Sequence, residues 1–489
     1  MSQQTQIPEL DSVGLLRYAW RQLTSMRTAL ILLLMVGVAA IPGSLFPQRT
    51  QNPLQVGQYF KDSPDVARWM DRFYLFDVYG SPWFSAIYIL LFISLIGCVL
   101  PRTFEHFKAA RALPPTTPKN LSRLEHHQTW SAHGNELELA RKWFKAKRFR
   151  VLEVDGSISA EKGFTRETGN LFFHLALILI LLGISFSSLF GMRGEAIVNV
   201  GERFVNTPTS YDTLNYGKLY KDSNIPAFML TVDKFVAQYN VETSAPEDYT
   251  LDVSLLRDGS TTIEKKRIKV NSPMTIGTTR IYLQANGYAP VVTVRDSKGD
   301  VAFQGPVTFL PQDTNLRSIG AIKVPDADPQ IGFLGSFLPT YVRDGANGGA
   351  SAFPKALNPR LLLSVWSGDL GLDSGIPQSV YRIDTTEMKQ IGLKGLKPGE
   401  SFVYEGGSIT FEGYVQWVNL NFVADPGKHL ALLGGIVAIL GLLASLFTRR
   451  RRIWIRVGDE VEVAALAKNA APGLEVEIQG FVKMLKGEK

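Results

Sequence analysis

Four long apolar blocks stand out from the polar sequence that surrounds them. They cover residues 28–46, 83–100, 171–190 and 430–447, and none contains Asp, Glu, Lys or Arg. A helix of about 20 apolar residues crosses the hydrocarbon core of a bilayer. The pattern therefore predicts four transmembrane helices. The first block lacks a small-residue cleavage site, so we expect it to be a retained helix rather than a signal peptide.

Short runs that alternate apolar and polar residues fill the long segment between the third and fourth blocks. The runs cover residues 228–237, 249–256, 280–285, 291–296, 360–366 and 408–418. Turn-forming sequences lie between runs at 257–259 and 296–300, as in β-hairpins. The pattern predicts a large all-β domain over 191–429, a β-sandwich or twisted antiparallel sheet in two lobes, with a loop at 344–357.

The remaining polar segments are shorter. Residues 136–149 have helical spacing of apolar positions, and the next residues, RVLEVDG, alternate like a strand. We expect a small α+β unit in the loop 101–170, after a linker at 114–119. The tail, 448–489, is predicted to hold a short helix and two strands.

Basic residues predict how this arrangement is oriented in the membrane. The formal net charge is +7, and the cations cluster at the ends of three apolar blocks, around residues 17–27, 102–150 and 449–452. Such clusters mark cytoplasmic loops under the positive-inside rule. We therefore expect both termini in the cytoplasm and the large β-domain outside. The resulting plan is a cytoplasmic N-terminus (1–27), an outer loop (47–82), a cytoplasmic loop (101–170), an extracytoplasmic domain (191–429) and a cytoplasmic tail (448–489).

Cysteine usage and motifs exclude several classes of protein. The chain has one cysteine, Cys98, in the second apolar block, so it forms no internal disulfide. It contains no CxxC or CxxCH sequence, which argues against a thiol carrier and a c-type cytochrome. It also lacks the signatures of nucleic-acid-binding proteins, so we expect no nucleic-acid partner.

Two residues within the apolar blocks are candidates for chemistry. His174 lies inside the third block, where an ionisable side chain suggests a functional site or a hydrogen bond to a neighbouring helix. Cys98 lies at a similar depth near the inner end of the second block, so the two could share an inward-facing pocket. A small buried apolar residue is the simpler interpretation of Cys98.

Other histidines and aromatic residues receive simpler interpretations. His429 is expected at the outer interface, and His106, His126, His127 and His133 at solvated surface positions of the loop. Trp83, Trp417 and Trp454 fit membrane-interface belts. Tyr282, Tyr288 and Trp366 are expected to pack in the core of the outer domain.

Short motifs lie along nearly the whole chain, in order around the four predicted helices. They are WRQLTSMRTA (20–29), IPGSLFPQ (41–48), DVY (77–79), SPWF (81–84), Cys98, KGF (162–164), Arg166, GNLFFH (169–174), FMLTVDKF (228–235), VNSP (270–273), YLQ (282–284), Gln416, Trp417, DPG (425–427), the arginine run 449–452 and Trp454. Each motif is weak alone, but in this order they resemble the ResB (CcsB) family of system II cytochrome c biogenesis proteins.

The resemblance implies a role in assembling c-type cytochromes in the bacterial inner membrane. The family works with a ResC (CcsA)-like membrane protein to carry haem across the bilayer and present it to apocytochrome c. The histidine that opens the third helix is regarded in the family as an axial ligand of haem b shared with the partner, and His174 occupies that position. Cys98 matches a cysteine often found in the family. The chain would be a non-catalytic or co-catalytic subunit of a haem lyase complex.

Two other functions are compatible with the pattern. A scaffold or sensor whose outer β-domain binds protein, without haem of its own, needs only the four helices and that domain. A small-solute transporter ranks last, because the chain shows no inverted repeat and no interrupted helix beyond Pro42.

Overall fold

The computed structural model describes residues 11–49, 51–124, 126–343, 349–372, 379–467 and 473–488. The chain divides into two compact units. The first contains the residues up to Ser185 and those from Gly427 onward, and the second is Phe186–Pro426. The predictions made for 1–10, for 344–348 and for 468–472 lie outside the described residues.

The helices are α1 (Ser12–Leu23), α2 (Met26–Leu45), α3 (Pro53–Asp62), α4 (Pro64–Arg72), α5 (Pro82–Arg111), α6 (Glu136–Ala146), α7 (Thr165–Phe190), α8 (Lys428–Phe447) and α9 (Leu474–Lys486). Within the described ranges, four of them (α2, α5, α7 and α8) are long and apolar enough to cross a membrane. The four predicted spans are therefore confirmed as helices.

Serine caps begin two of these helices. Ser25 accepts a hydrogen bond from the Thr28 N–H before α2, and Ser81 accepts one from the Phe84 N–H before α5. Each cap satisfies a backbone donor that would have no partner in the first helical turn. Helix α5 continues to Arg111, eleven residues beyond the apolar block, and Lys108 and Arg111 lie in its last turn. Cations in the last turn interact favourably with the helix dipole. They therefore stabilise the part of the helix that extends beyond the apolar block.

The strands are β1 (His126–Ser131), β2 (Arg150–Val154), β3 (Ser157–Lys162), β4 (Met192–Asn199), β5 (Arg203–Val205), β6 (Thr213–Tyr216), β7 (Phe228–Tyr239), β8 (Pro246–Arg257), β9 (Ile263–Lys269), β10 (Met274–Ile276), β11 (Thr279–Asp296), β12 (Val301–Pro306), β13 (Leu310–Pro311), β14 (Ser318–Val324), β15 (Ile331–Leu338), β16 (Tyr341–Val342), β17 (Ala350–Ser351), β18 (Arg360–Ser367), β19 (Lys389–Leu396), β20 (Ser401–Tyr404), β21 (Gly407–Ala424), β22 (Arg451–Val457) and β23 (Glu460–Ala467).

The first unit joins the loop before α7 and the tail after α8 in one antiparallel sheet. The strand order is β1-β23-β22-β3-β2, so two tail strands lie between strands of the loop. Helices α6 and α9 pack on this sheet through Phe144 and Phe481, whose rings lie 5.0 Å apart. The sequence pattern predicts the loop and the tail as separate segments, because alternation identifies a strand but not its distant partner.

An ion-pair network links the same two segments. The Glu161 carboxylate accepts hydrogen bonds from Arg450 at 2.5 Å and from Arg452 at 3.2 Å. Arg450 also binds Glu167 in the first turn of α7 at 2.7 Å. Since the Glu161 side chain is only 4% exposed, its charge needs these two partners. The arginine run after α8 therefore binds the loop before α7 through ion pairs, in addition to marking the end of a transmembrane helix.

The second unit is built from β-strands, as the alternating pattern predicts. Its sheets have the orders β10-β11-β21-β4-β6, with β12 on β11 and β20 on β21, then β13-β14-β15-β18-β19, β5-β7-β8-β9 and β16-β17. Strands β11 and β21 pair along most of their length and contribute to two separate apolar cores. Ile281 lies in one core and Val292 in the other. The two cores agree with the two lobes expected from the sequence.

One predicted break in the second unit is wrong. The runs 280–285 and 291–296 were expected as separate strands, but both belong to β11, which pairs with β21 through the intervening residues. A register shift after Leu283 accommodates the break in the alternation. In the described part of the predicted loop at 344–357, Ala350 and Ser351 form the short strand β17.

Two tryptophans assigned to membrane interfaces are instead buried in protein cores, so those predictions are wrong. Trp417 is 2% exposed, and its indole N–H donates to the carbonyl oxygens of Tyr288 and Phe309 at 3.1 Å. Trp454, in strand β22 of the first unit, is buried beside Leu121 and Ala464. The indole N–H of Trp83 donates to the Phe73 carbonyl. A tryptophan near an apolar block cannot be told from a core tryptophan by sequence position alone.

Tyr288 is a core residue, as expected. Its hydroxyl donates to the Pro354 carbonyl at 2.9 Å, and burial raises the pKa of the phenol above its ordinary value. Tyr282 and Trp366 are only partly buried, so the core assignment holds fully for one of the three aromatic residues.

Candidate functional site

Helix α7 presents a face of small residues to helix α8. Gly169, Ala176 and Gly183 recur every seven residues along it and are buried. A Cβ added at Gly169 would lie 2.6 Å from the Gly441 carbonyl oxygen, and one at Gly183 would lie 2.7 Å from the Ala431 amide nitrogen. Glycine is therefore needed for the two backbones to approach this closely. The contact fixes the rotation of α7 about its axis.

Another face of α7 lines a cavity of about 430 Å³ together with α2 and α5. Most of its walls are apolar side chains, among them Leu30 of α2, Leu95 of α5 and Leu177 of α7. The polar groups at its edge come from Cys98, Arg102, Asn170 and His174. An apolar cavity of this size with a few convergent polar groups is typical of small-molecule and cofactor sites.

The His174 imidazole is held in one tautomer. Its Nδ1 lies 2.7 Å from the carbonyl oxygen of Asn170, one helical turn earlier. A carbonyl oxygen only accepts hydrogen bonds, so Nδ1 donates the proton and Nε2 of the neutral ring carries the lone pair. A hydrogen bond of this kind is the usual support for a metal-binding histidine. The geometry makes Nε2 the atom available to an electrophile or a metal.

Cys98 lies in the wall of the same cavity. Its thiol donates to the Leu95 carbonyl oxygen at 3.3 Å within α5. The structure thus brings Cys98 and His174, both singled out in the sequence, to one cavity. The contact of Cys98 with its own helix is that of a small residue packed in a wall.

Arg102 and Asn170 belong to the cavity but were not recognised as site residues. Each lies one helical turn from a recognised residue, since Arg102 follows Cys98 by four positions and Asn170 precedes His174 by four. Residues four apart lie on the same face of a helix. That spacing could have identified both. In the sequence pattern, Arg102 is visible only as one of the cations that indicate topology, and Asn170 only as part of the motif GNLFFH.

Four of the other histidines lie apart from this cavity. His429 is in the first turn of α8 and His133 is exposed. His126 and His127 are partly buried in β1, and the His127 Nε2 lies 3.5 Å from the Glu462 carboxylate.

The backbone N–H groups of His133 and Gly134 donate to the carboxylate of Glu136. Burial alone would raise the pKa of that carboxyl, but these hydrogen bonds outweigh burial and hold it below its ordinary value.

The assignment of His106 to a solvated loop is wrong. The residue lies in α5 and is buried. Its ring stacks on Phe164 with 4.7 Å between centroids, and its Nε2 lies 2.9 Å from the Thr168 hydroxyl of α7. Since α5 extends past its apolar block, the sequence pattern gave no indication of this burial. His106 therefore has a packing role between α5 and α7.

The possible metal donors at this cavity are the imidazole of His174 and the thiol of Cys98. No group of three or more His, Cys, Asp or Glu side chains in the described part of the chain could hold a bare metal ion. The porphyrin supplies four nitrogens to haem iron, so haem needs only one or two axial ligands from protein. One imidazole at the edge of an apolar cavity fits that requirement.

Similarity to known proteins extends over nearly the whole chain. A model of the ResB-like family matches residues 26–479. The protein named "Cytochrome c biogenesis protein CcsB" from Prochlorococcus marinus is 23% identical over 95% of this chain and 97% of its own length. Proteins of the same name from Crocosphaera subtropica, at 23% identity over 100% of this chain and 99% of the relative, and from Gloeobacter violaceus, at 24% over 95% and 90%, are similar in the same way.

Proposed function

The chain belongs to the ResB-like family, and on that basis we propose that it is a membrane subunit of the system II cytochrome c biogenesis complex. In this role it helps to carry haem across the membrane and to present it to apocytochrome c. Support comes from the curated relatives, which carry the name of a cytochrome c biogenesis protein over almost the full length of the chain. Acting within a haem lyase complex, the chain is a non-catalytic or co-catalytic subunit.

The observation that carries the haem part of the proposal is the orientation of His174. Its Nδ1–H is bound to the Asn170 carbonyl, which would leave Nε2 at an apolar cavity to bind haem iron. The cavity walls would exclude water from the porphyrin face, and Arg102 offers a cation to a propionate carboxylate. Among the described residues, His174 is the histidine that lines this cavity, so a ResC (CcsA)-like partner would supply the second ligand to haem b.

Absorption spectroscopy of the purified complex tests this function. The chain is coexpressed with its ResC-like partner, and the complex is isolated in detergent. A Soret band that copurifies with the complex, together with maturation of a reporter cytochrome c, is the expected result. An intact complex without haem would contradict the proposal and favour the scaffold whose β-domain binds protein.

We also propose the orientation of the chain in the bacterial inner membrane. The basic clusters beside α2, α5 and α8 support a cytoplasmic position for both termini under the positive-inside rule. The loop 101–170 and the tail after α8 share one sheet, so both segments must lie on the same side of the membrane. The β-rich segment 191–429 then lies outside, where apocytochrome c is matured.

Cysteine labelling measures this orientation directly, because the chain has one natural cysteine. In a Cys98→Ala background, Asp258→Cys places a thiol in an exposed hairpin of the β-rich unit, and Lys142→Cys places one on the exposed side of α6. A membrane-impermeant maleimide added to intact spheroplasts should label the first variant and leave the second unlabelled until lysis. Labelling of the second variant alone in intact spheroplasts would reverse the proposed orientation.

A cysteine substitution separates lining of the cavity from ligation of iron. We expect Cys98→Ala to retain most of its haem, with less than about a 2-fold change, and to keep the Soret position, because the thiol already donates to its own helix. The measurement is the absorption spectrum of the complex at equal protein concentration. A shifted Soret band or loss of haem would show that sulfur ligates the iron.

A further inference from the structure

A second cavity, of about 460 Å³, lies where α7 begins and α8 ends. We call it the basic cavity, because five of its lining side chains are cationic. These are Arg148, Arg150, Lys162, Arg449 and Arg451. It is separate from the cavity that contains His174, with which it shares no lining residue.

The lining of the basic cavity includes one carboxylate, which is already paired. Glu161 is bound to Arg450 at 2.5 Å and to Arg452 at 3.2 Å, and neither arginine belongs to the lining. Its negative charge is therefore largely neutralised from outside the cavity. The charges of Arg148, Arg150 and Lys162 then give the cavity a net positive potential.

Aromatic rings rather than carboxylates hold two of these cations. The Arg150 guanidinium lies 5.3 Å from the centre of the Phe164 ring, and the Lys162 ammonium lies 5.5 Å from that of Phe149. In the described part of the chain, Arg148, Arg150 and Lys162 form no ion pair with a carboxylate, whereas Arg451 binds Glu477. A cation–π contact orders a side chain but leaves its charge available to a ligand.

The position of the basic cavity favours an amphiphilic ligand. Thr165, the first residue of α7, lies in the wall, so the positive end of that helix dipole faces the same space. Phe447, the last residue of α8, is also in the wall and is 82% exposed. Leu446 beside it is exposed as well. An anion at the helix ends would thus have an apolar surface directly beside it.

We propose that the basic cavity binds the phosphate headgroup of an anionic phospholipid whose acyl chains lie against Leu446 and Phe447. Basic pockets at the ends of transmembrane helices attract such headgroups. Free phosphate would satisfy the cations but would make no contact with Leu446 and Phe447, which lie beside them. Binding of this lipid does not depend on haem or on His174.

Native mass spectrometry of the full-length chain tests the lipid site. The detergent-purified protein is titrated with phosphatidylglycerol or with phosphatidylcholine. We expect phosphatidylglycerol to bind at least about 10-fold more tightly, and Arg148→Gln with Lys162→Gln to weaken its binding by roughly 10- to 30-fold. The matched control is Lys142→Gln with Lys145→Gln, which removes the same charge from the exposed side of α6 and should change binding by less than about 2-fold.

Three results would overturn the proposal. They are equal binding of the two lipids by the wild type, equal loss in the cavity and control variants, and binding of inorganic phosphate alone as tightly as phosphatidylglycerol. The last result would identify a free-phosphate site. The charge-retaining pair Arg148→Lys with Lys162→Arg distinguishes lost charge from lost structure, since it should bind like the wild type. If that double variant has the unfolding midpoint of the wild type but fails to bind phosphatidylglycerol, positive charge does not determine the binding of the lipid.

Discussion

The His174→Ala variant is expected to lose haem from the complex while still inserting into the membrane. Removing the imidazole deletes Nε2, the ligand atom that the Asn170 contact leaves available. Loss of a supporting contact alone typically lowers metal affinity 10- to 100-fold, so loss of the ligand itself should lower bound haem by about 10-fold or more. The measurement is the Soret absorbance per complex, together with maturation of a reporter cytochrome c.

His429→Ala is the matched control for this variant. His429 lies in the first turn of α8 and does not line the cavity, so its substitution removes one imidazole and should leave the haem content unchanged. Added imidazole should restore part of the Soret band in His174→Ala, because the substitution leaves space where the ring was. Normal haem content and normal cytochrome c maturation in His174→Ala would refute the ligand role. His174 would then have a structural role.

The four helices and the β-rich unit could be predicted because their patterns are local. A run of apolar residues or an alternating strand is visible within about 20 residues. The buried environment of His106 was not visible in this way, since it depends on Phe164 and Thr168, which lie far along the chain. The same holds for Trp454, which is covered by Leu121. Local pattern therefore identifies elements, whereas burial at their ends depends on distant partners.

The candidate site was partly accessible from the sequence for a related reason. His174 is conspicuous because an ionisable residue inside an apolar helix is rare. Its tautomer could not be predicted, because it depends on the hydrogen bond to the Asn170 carbonyl. The cavity itself required the relative placement of α2, α5 and α7. Sequence spacing supplies candidates on one helix, and packing between helices decides which of them meet.

The Gly441→Ala variant should lower both the stability of the chain and its haem content. A Cβ at Gly441 would lie 2.7 Å from the Gly169 carbonyl oxygen and 2.7 Å from the Phe173 amide nitrogen. Both neighbours are backbone atoms, so α7 and α8 must move apart, at a cost of about 1–3 kcal/mol for overpacking. Phe173 directly precedes His174, so the displacement reaches the proposed ligand. The measurements are the thermal unfolding midpoint in detergent and the Soret absorbance.

Gly435→Ala isolates this steric effect, because it lies on the same helix and an added Cβ meets nothing within 4 Å. Both substitutions raise helix propensity by about 1 kcal/mol, so the control should unfold at the wild-type temperature or slightly above it and keep its haem. If Gly441→Ala behaves like this control, close packing of α8 on α7 does not position His174. A lower midpoint with normal haem would mean that the packing stabilises the helix pair but that the cavity tolerates its displacement.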